Sequence, residues 1–175
     1  MELRRLKLED EAAFFEALSQ WPEEDREWLS WHWRPGVTFP EIVEKMDQES
    51  LGVGLPAHLV PATMFYGFQD GAIVGRLHLR HRLNEALTVR GGHIGYAVNP
   101  PSRGKGFATA MLKLGLRRAA ELGIDRVMIT CAESNVGSWV AIERAMKEFG
   151  GILESTFVDQ KDGQKVRKYW VETRA

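Results

Sequence analysis

The stretch that decides the fold reads Asn99-Pro100-Pro101-Ser102-Arg103-Gly104-Lys105-Gly106-Phe107-Ala108-Thr109. It follows a short apolar run, His93–Val98, and it precedes an apolar pattern of helical spacing from Ala108 to Leu122. The order is therefore a strand, a basic glycine-rich turn and the start of a helix. Such a turn presents free backbone N–H groups and the positive end of a helix to one anion. The stretch therefore predicts a ligand that carries a pyrophosphate.

Two familiar phosphate-binding patterns do not fit this turn. A P-loop needs a Ser or Thr after its Gly-Lys pair, but Gly106 follows Gly104-Lys105. A dinucleotide-binding Gly-x-Gly-x-x-Gly pattern would end on Thr109 in place of glycine, and no acidic residue ends a second strand at the usual distance. A third pattern, Arg/Gln-x-x-Gly-x-Gly/Ala, is matched by the stretch Arg103–Ala108.

The matched pattern resembles motif A of the GNAT superfamily of N-acetyltransferases, which use acetyl-CoA. Its glycines let the backbone approach a pyrophosphate without a Cβ clash, and Arg103 and Lys105 would add charge-assisted contacts. Further segments, in order from about residue 3 to 172, resemble a bacterial subgroup of predicted acetyltransferases. They are Val60–Thr63, Gly75–Asn84, Gly91–Tyr96, Ile129–Cys131, Asn135–Ser138 and Tyr169–Trp170.

The amino-acid composition indicates which kinds of partner and which cellular compartment to expect. Lys and Arg number 23 against 24 Asp and Glu, so a net charge of −1 gives no general attraction to nucleic acid or anionic membrane. The single cysteine, Cys131, excludes an internal disulfide and fits a reducing compartment. We find no signal peptide and no apolar run long enough to span a bilayer. We therefore expect one cytoplasmic domain over residues 1–175, without metal.

The pattern of apolar residues predicts an α+β fold (α/β in the wider sense). Strands are predicted at Leu3–Leu8, Thr63–Phe68, Ala72–Leu79, His93–Val98, Arg126–Cys131, Ile152–Val158 and Val166–Val171. Helices are predicted at Asp10–Gln20, Pro40–Glu49, Gly106–Leu122 and Val136–Phe149, and Arg82–Gly92 is predicted as a polar connection. The resemblance implies the GNAT fold: a mixed, mostly antiparallel central sheet of about seven strands with a central splay, flanked by about four helices.

The resemblance also implies how acetyl-CoA is held. In this fold the strands His93–Val98 and Arg126–Cys131 splay apart, the pantetheine arm fills the wedge, and a backbone N–H near Val98 polarises the thioester carbonyl. The residues expected to bind the cosubstrate are Ala97, Val98, Asn99, Arg103, Gly104, Lys105, Gly106, Phe107, Ala108, Thr109, Asn135 and Ser138. Asn135 is also suited to cap the helix that follows it.

Acyl transfer to an amine needs a base, because the amine arrives mostly as ammonium. Glu133, just after the strand Arg126–Cys131, is the first candidate, directly or through water, and His93 is the second. Gly92 holds the position at which some relatives carry a catalytic Glu, so that residue is absent here.

The usual acid for the leaving thiolate is also absent. The resemblance places a Tyr seven residues after the Asn matched by Asn135, and that position is Ile142. Ser138, one helical turn after Asn135, could hydrogen-bond the sulfur region. Solvent water is the other proton source for a thiol as acidic as that of CoA.

The acceptor would be selected outside motif A. Trp21–Phe39 contains four tryptophans that could wall a pocket, pack as a core or lid, or form a homodimer face. Arg80–Asn84 could bind an acidic group of the acceptor or only close a bend. The leading hypothesis is an acetyl-CoA-dependent N-acetyltransferase that uses direct attack on a primary amine of a small molecule, peptide or protein. The alternative is a non-catalytic acyl-CoA-binding module.

Overall fold

Two antiparallel sheets form the frame of the computed structural model, which describes residues 1–174. The first sheet contains, in spatial order, β1 (Glu2–Arg4), β2 (Ala62–Gln69), β3 (Ala72–Arg80) and β4 (Ile94–Val98). The second contains β5 (Arg126–Ala132), β6 (Gly151–Val158) and β7 (Lys165–Glu172), with β7 in the middle. The α-helices are α1 (Glu11–Ser19), α2 (Phe39–Leu51), α3 (Glu85–Val89), α4 (Phe107–Glu121) and α5 (Val136–Phe149). Short 3-10 helices cover Leu8–Asp10, Glu23–Trp28 and Pro100–Ser102.

The fold class predicted from the sequence is confirmed, with the seven strands arranged as two antiparallel sheets in place of one mixed central sheet. The other differences concern single elements. The first strand ends at Arg4 instead of Leu8. The Asp10 carboxylate accepts hydrogen bonds from the Arg4 guanidinium at 2.6 and 2.8 Å and from the Lys7 backbone N–H at 2.7 Å. These bonds bend the chain after β1 and begin the 3-10 helix at Leu8. The alternation of apolar and charged residues up to Leu8 therefore does not form a strand.

The predicted polar connection Arg82–Gly92 contains a helix that the sequence analysis did not find. Helix α3 begins after Asn84, whose side-chain Oδ1 accepts a hydrogen bond from the Leu87 backbone N–H at 3.0 Å. An Asn before a polar segment indicates a turn as readily as a helix cap, because both use the same side-chain bond. The structure therefore adds one short helix to the expected set.

Each face of the first sheet has its own core. Helices α4 and α5 cover one face, with apolar side chains from both sheets, among them Leu77, Leu79 and Ile94. Helices α1 and α2 and the tryptophan-rich segment cover the other face, around Tyr66 and Phe39. Strand β3 is therefore buried on both faces, which is unusual for a strand that carries charged residues.

Two further properties concern the described chain as a whole. No helix within residues 1–174 combines the length and the apolar character that crossing a membrane requires. Within the same residues, no group of three or more His, Cys, Asp or Glu side chains is arranged to hold a metal ion.

Candidate active site

The sheets part between β4 and β5, and the free edge of β4 faces the opening. The Asn99 backbone N–H donates to the Val74 carbonyl at 2.9 Å, so this residue bonds back to β3. Backbone groups alternate along a strand, and those of Tyr96 and Val98 therefore turn toward β5. In residues 1–174 they meet no ladder partner there, since β4 and β5 share only an isolated bridge at Gly92.

The facing edge of β5 is free in the same way. The Glu133 backbone N–H donates to the Lys165 carbonyl at 2.8 Å, which commits that residue to β7. By alternation, the backbone groups of Thr130 and Ala132 turn toward β4. The opening between the strands is therefore lined by peptide N–H and C=O groups, as the expected splay requires.

His93 joins the two strands where the opening begins. Its backbone N–H donates to the Met128 carbonyl at 2.7 Å, and its ring Nδ1 accepts from the Met128 backbone N–H at 2.9 Å. The imidazole thus replaces a strand carbonyl as acceptor. Burial, followed by the Arg80 charge, lowers the pKa of His93 to about 4, so the ring is neutral near pH 7. With Nδ1 occupied, His93 is a link between the sheets and is poorly placed to accept a proton.

Gly92 shows why no catalytic Glu stands next to His93. Its φ is +66°, and a Cβ at this position would lie 2.3 Å from the Met128 carbonyl oxygen. Any larger residue would push β5 away from β4 at their one bridge. The close approach of the two strands therefore leaves no room for a carboxylate side chain at position 92.

A cleft of about 630 Å³ extends from the free edge of β4, past the start of α5, to the N-terminus of α4. It brings together most of the residues expected to hold the cosubstrate: Ala97, Val98, Arg103, Gly104, Gly106, Phe107, Ala108, Thr109, Asn135 and Ser138. Asn99, Lys105, Glu133 and His93 are not among its lining residues. The lining also includes residues that the sequence analysis did not propose for the cosubstrate, notably Asp25, Tyr96 and Arg144.

The glycine-rich turn has the backbone geometry that an anion site needs. Gly104 and Gly106 have φ values of +76° and +84°, and a Cβ at either position would meet no atom within 4 Å. The helix α4 that follows has no side-chain cap, so its first N–H groups keep their hydrogen-bonding capacity. Arg103 stacks over Trp21 and donates through Nε to the Val98 carbonyl at 3.2 Å, while Lys105 is exposed.

Asn99 uses its side chain for structure instead of for the cleft. It is fully buried, and its Oδ1 accepts a hydrogen bond from Trp21 Nε1 at 3.0 Å. Its Nδ2 donates to the Ile73 carbonyl at 2.8 Å and to Gln20 Oε1 at 3.1 Å. Asn99 therefore ties the tryptophan-rich segment to the end of β4, next to the glycine-rich turn.

Glu133 lies beyond the end of β5 in ion pairs. Its carboxylate is 2.8 Å from Lys165 Nζ and 3.4 Å from the Arg167 guanidinium. The hydrogen bond with Lys165 is the main reason that the pKa of Glu133 is lowered. The side chain keeps 32% of its exposure, so water can reach it. Glu133 is thus an accessible but weakly basic carboxylate.

Ser138 and Tyr96 meet inside the cleft. Their hydroxyl oxygens are 2.8 Å apart, and the Tyr96 hydroxyl also lies 3.1 Å from the Ser138 carbonyl. Burial raises the pKa of the Tyr96 phenol, which therefore keeps its proton and acts as a hydrogen-bond donor. The backbone N–H of Ser138 donates to the Asn135 side chain at 3.1 Å, so Asn135 caps α5 and lines the cleft. Tyr96 was missed because only the resemblance suggested where to look for a tyrosine, and it pointed to α5.

The tryptophan cluster divides into two groups. Trp21 and Trp28 line the cleft together with Asp25, and Trp28 keeps 51% of its exposure. Trp31 and Trp33 instead pack against the core between α2 and the sheet. Both the pocket-wall and the packing interpretations of the sequence therefore apply, each to different residues.

A family model described as Acetyltransferase (GNAT) domain matches residues 1–145 of the chain. No curated protein sequence matches it.

Solved structures of similar fold come from acetyltransferases. A point mutant of spermidine N-acetyltransferase SpeG from Vibrio cholerae is 18% identical, with a TM-score of 0.62 over 99% of this chain and 95% of that one. The ribosomal protein alpha-N-acetyltransferase RimL is 18% identical, with a TM-score of 0.63 over 99% and 93%. A GNAT-family acetyltransferase from Bacillus anthracis is 17% identical, with a TM-score of 0.60 over 98% and 93%. At these identities the likeness shows the fold, and the family model identifies the family.

Proposed function

Because the chain belongs to the GNAT acetyltransferase family and is therefore an acyltransferase, we propose that it transfers the acetyl group of acetyl-CoA to a primary amine. The amine would attack directly within a ternary complex. The observation that carries this proposal is the continuous cleft that joins the uncapped N-terminus of α4 to the free edge of β4 and the start of α5. A pyrophosphate and an amide-bearing arm need these two features side by side.

The donor would be held mainly by backbone groups. The N–H groups near Gly104, Gly106 and Ala108 would bind the pyrophosphate, with Arg103 and Lys105 adding charge. The pantetheine amides would pair with the free peptide groups of β4 and β5, like a short extra strand. Asn99 would support this site without binding the donor, because its side chain is bonded to Trp21, its N–H to the Val74 carbonyl and its carbonyl to the Ser102 N–H.

The chemical step forms a C–N bond and breaks a C–S bond. The amine nitrogen attacks the thioester carbonyl carbon, and the Val98 N–H stabilises the oxyanion of the tetrahedral intermediate. The intermediate collapses with CoA thiolate as the leaving group. The hydroxyl pair of Tyr96 and Ser138 lies in the cleft and can donate a hydrogen bond to this sulfur. The attacking nitrogen loses one proton and the thiolate sulfur finally gains one, so the reaction of the neutral amine releases no net proton.

Glu133 remains the candidate base, acting through water. It is the accessible carboxylate at the end of β5, whereas His93 Nδ1 is already hydrogen-bonded. Its ion pairs keep it ionised and reduce its basicity, so we expect a modest contribution from it. Solvent water would take the proton when Glu133 is absent.

A panel of amines tests the proposal. Free CoA released from acetyl-CoA is measured with each amine, and the acetylated product is identified by mass spectrometry. The panel includes spermidine and a peptide N-terminus, since similar folds occur in acetyltransferases named for such acceptors. We expect at least one amine to stimulate CoA release and to appear acetylated. Tight binding of acetyl-CoA without stimulation by any amine would contradict the proposal.

A further inference from the structure

Strand β3 carries a line of positive side chains into the interior. Its sequence alternates, so that Leu77 and Leu79 pack into the core under α4, while Arg76, His78 and Arg80 point to the opposite face. That face is covered by α2 and the tryptophan-rich segment. We call Arg76, His78 and Arg80 the β3 stripe.

Arg76 is a buried cation without a carboxylate partner. Only 6% of it is exposed, and within residues 1–174 it forms no ion pair. Its Nε donates to the Trp28 carbonyl at 2.5 Å, and its guanidinium lies 4.9 Å from the centre of the Trp31 ring. Burial lowers the pKa of Arg76 to about 10, so the group remains charged near pH 7. A buried charge without a counter-charge is costly unless a ligand supplies one.

Arg80 is a second guanidinium at the start of the opening. Its Nη1 donates to the carbonyls of Gly92 at 3.0 Å and Gly91 at 3.5 Å, and the group lies over Gly95 of β4. It is half-buried and forms no ion pair within residues 1–174. Burial lowers the pKa of Arg80, as expected for a cation drawn out of water.

The nearby carboxylate, Glu49, does not neutralise the two arginines. It is the acidic group whose charge acts on both guanidinium groups, but its oxygens are bound to His32 Nε2 at 2.8 Å and His78 Nε2 at 3.1 Å. The histidine hydrogen bonds and charges outweigh burial and lower the pKa of Glu49 to about 2. With His78 neutral because its pKa is lowered to about 4, two positive charges stand against one negative charge.

The β3 stripe lies directly beside the cleft. Arg76 is paired with Ala97 of β4, and Trp28, whose carbonyl binds Arg76, lines the same cleft as Ala97. The terminal nitrogens of Arg76 are not among the polar atoms that are sealed from solvent without a partner. Arg76 does not itself line the cleft, but it lies directly behind two residues that do, Ala97 and Trp28.

We propose that Arg76, the member of the β3 stripe next to the cleft, binds an anionic group of the acceptor, and that the acceptor is a small amine carrying a carboxylate or a phosphate. This inference rests on the proposed function. A guanidinium can donate two parallel hydrogen bonds to a carboxylate or a phosphate. A polyamine has no anionic group to accept them. Since Arg76 is opposite Ala97, the anion and the reacting nitrogen would be separated by little more than one side chain. Polyamines would be repelled by the unbalanced charge.

The test compares amines that differ only in the anion. The pairs are 4-aminobutyrate with butylamine, lysine with cadaverine, and phosphoethanolamine with ethanolamine, and spermidine is added as a polyamine. CoA release and product mass are measured for each. We expect the anionic member of at least one pair to have a kcat/KM about tenfold or more above its partner. The carboxylate and phosphate pairs identify which anion is preferred.

Arginine variants assign that preference to the stripe. Arg76→Met should remove the advantage of the anionic amine while the KM for acetyl-CoA stays unchanged. Arg76→Lys keeps the positive charge but cannot form two parallel hydrogen bonds, so it should retain only part of the advantage. It also serves as the second test if Arg76→Met fails to fold. Arg117→Met is the matched control, because Arg117 is an exposed arginine of α4, paired with Glu148 on the other side of the sheet. It should leave the preference intact.

The possible outcomes separate this inference from the proposed function. Acetylation of spermidine or the plain amines without any gain from the anion would overturn the inference and leave the acetyltransferase proposal standing. A preference that survives in folded Arg76→Met, or that stays undiminished in Arg76→Lys, would also overturn it. If no amine releases CoA, the proposed function fails. Arg76 is then tested by binding alone. At least one anionic amine of the three pairs should raise the melting temperature of the wild type more than its uncharged-end partner does, and this difference should be lost in Arg76→Met. If wild type and variant respond equally, the inference is overturned.

Discussion

The donor half of the cleft is built from backbone groups, and the acceptor half is built from buried side chains. The turn at Gly104 and Gly106 and the open strand edges offer peptide groups whose positions follow from local conformation. The β3 stripe and the Trp28 wall depend on packing between elements far apart in the chain. A site of the first kind is specified by a few adjacent residues, whereas one of the second kind is specified by the whole fold. The two halves should therefore respond differently to mutation.

The largest effect is expected in the donor half. Gly106→Val would place a branched side chain at φ +84° in the space proposed for the pyrophosphate. Several charge-assisted backbone bonds would be lost, so acetyl-CoA affinity should fall about 1000-fold. Isothermal titration calorimetry with acetyl-CoA measures this loss.

Gly123→Val controls for backbone strain at Gly106. Gly123 has a similar φ of +76° and equally open surroundings, but it follows the far end of α4. The control should lose comparable stability while its affinity for acetyl-CoA stays normal. Equal loss of affinity in both variants would mean that strain, and not the anion site, explains the result.

Asn99→Ala tests the tie between the two halves. The variant leaves the Trp21 indole N–H and the Ile73 carbonyl without their buried partner. We expect the free energy of unfolding to fall by about 3 kcal/mol. Urea denaturation measures this, and the KM for the amine should rise more than the KM for acetyl-CoA. Unchanged stability with lost acetyl-CoA affinity would instead place the Asn99 side chain in the donor half.

Acidification tests the junction between the sheets. The folded-state pKa of His93, about 4, lies below the usual 6.5, so its stabilisation is complete above pH 6.5 and is lost as the pH falls toward 4. Between pH 7 and pH 5 the loss from His93 should be about 2 kcal/mol. Urea unfolding at both values checks this in the wild type and in His93→Asn, whose amide oxygen can still accept the Met128 N–H. A variant with an undiminished pH dependence would refute the buried, neutral His93.

The smallest effect is expected at Glu133. Glu133→Gln removes the candidate base, and kcat should fall about tenfold, less than the roughly 100-fold or more usual for a general base, because Lys165 and Arg167 already weaken it. Steady-state kinetics at saturating acetyl-CoA measures kcat. Glu148→Gln is the control, since Glu148 is likewise paired with Lys113 and Arg117 but lies between α4 and α5. An unchanged kcat in Glu133→Gln would show that water removes the proton.

The same contrast explains how much could be predicted from the sequence. The fold class and the geometry at Gly104 and Gly106 follow from short-range patterns, and the structure has both. The tie between Trp21 and Asn99 joins residues far apart in the chain, so no local pattern indicates it.

Side-chain chemistry was the least predictable part. The ion pair of Glu133 with Lys165 and the ring bond of His93 to Met128 arise only when β5 is seated between its neighbours. The sequence does contain one pattern that points to the β3 stripe, because basic residues alternate with leucines over Arg76–Arg80. That period of two predicts a polar face, and only the packing of α2 shows that this face is buried.

The most direct test compares acetyl-CoA with acetyl-pantetheine, which has the same thioester arm but no pyrophosphate. If the turn at Gly104 and Gly106 holds the pyrophosphate, wild-type protein should bind acetyl-CoA at least about 100-fold more tightly than acetyl-pantetheine by calorimetry. Because acetyl-pantetheine also lacks the 3′-phosphoadenosine, the variant is decisive. Gly106→Val should lower the affinity for acetyl-CoA about 1000-fold and leave the affinity for acetyl-pantetheine unchanged, since its side chain enters only the space proposed for the pyrophosphate. Equal affinity of the wild type for both ligands, or a difference that persists in Gly106→Val, would contradict the account.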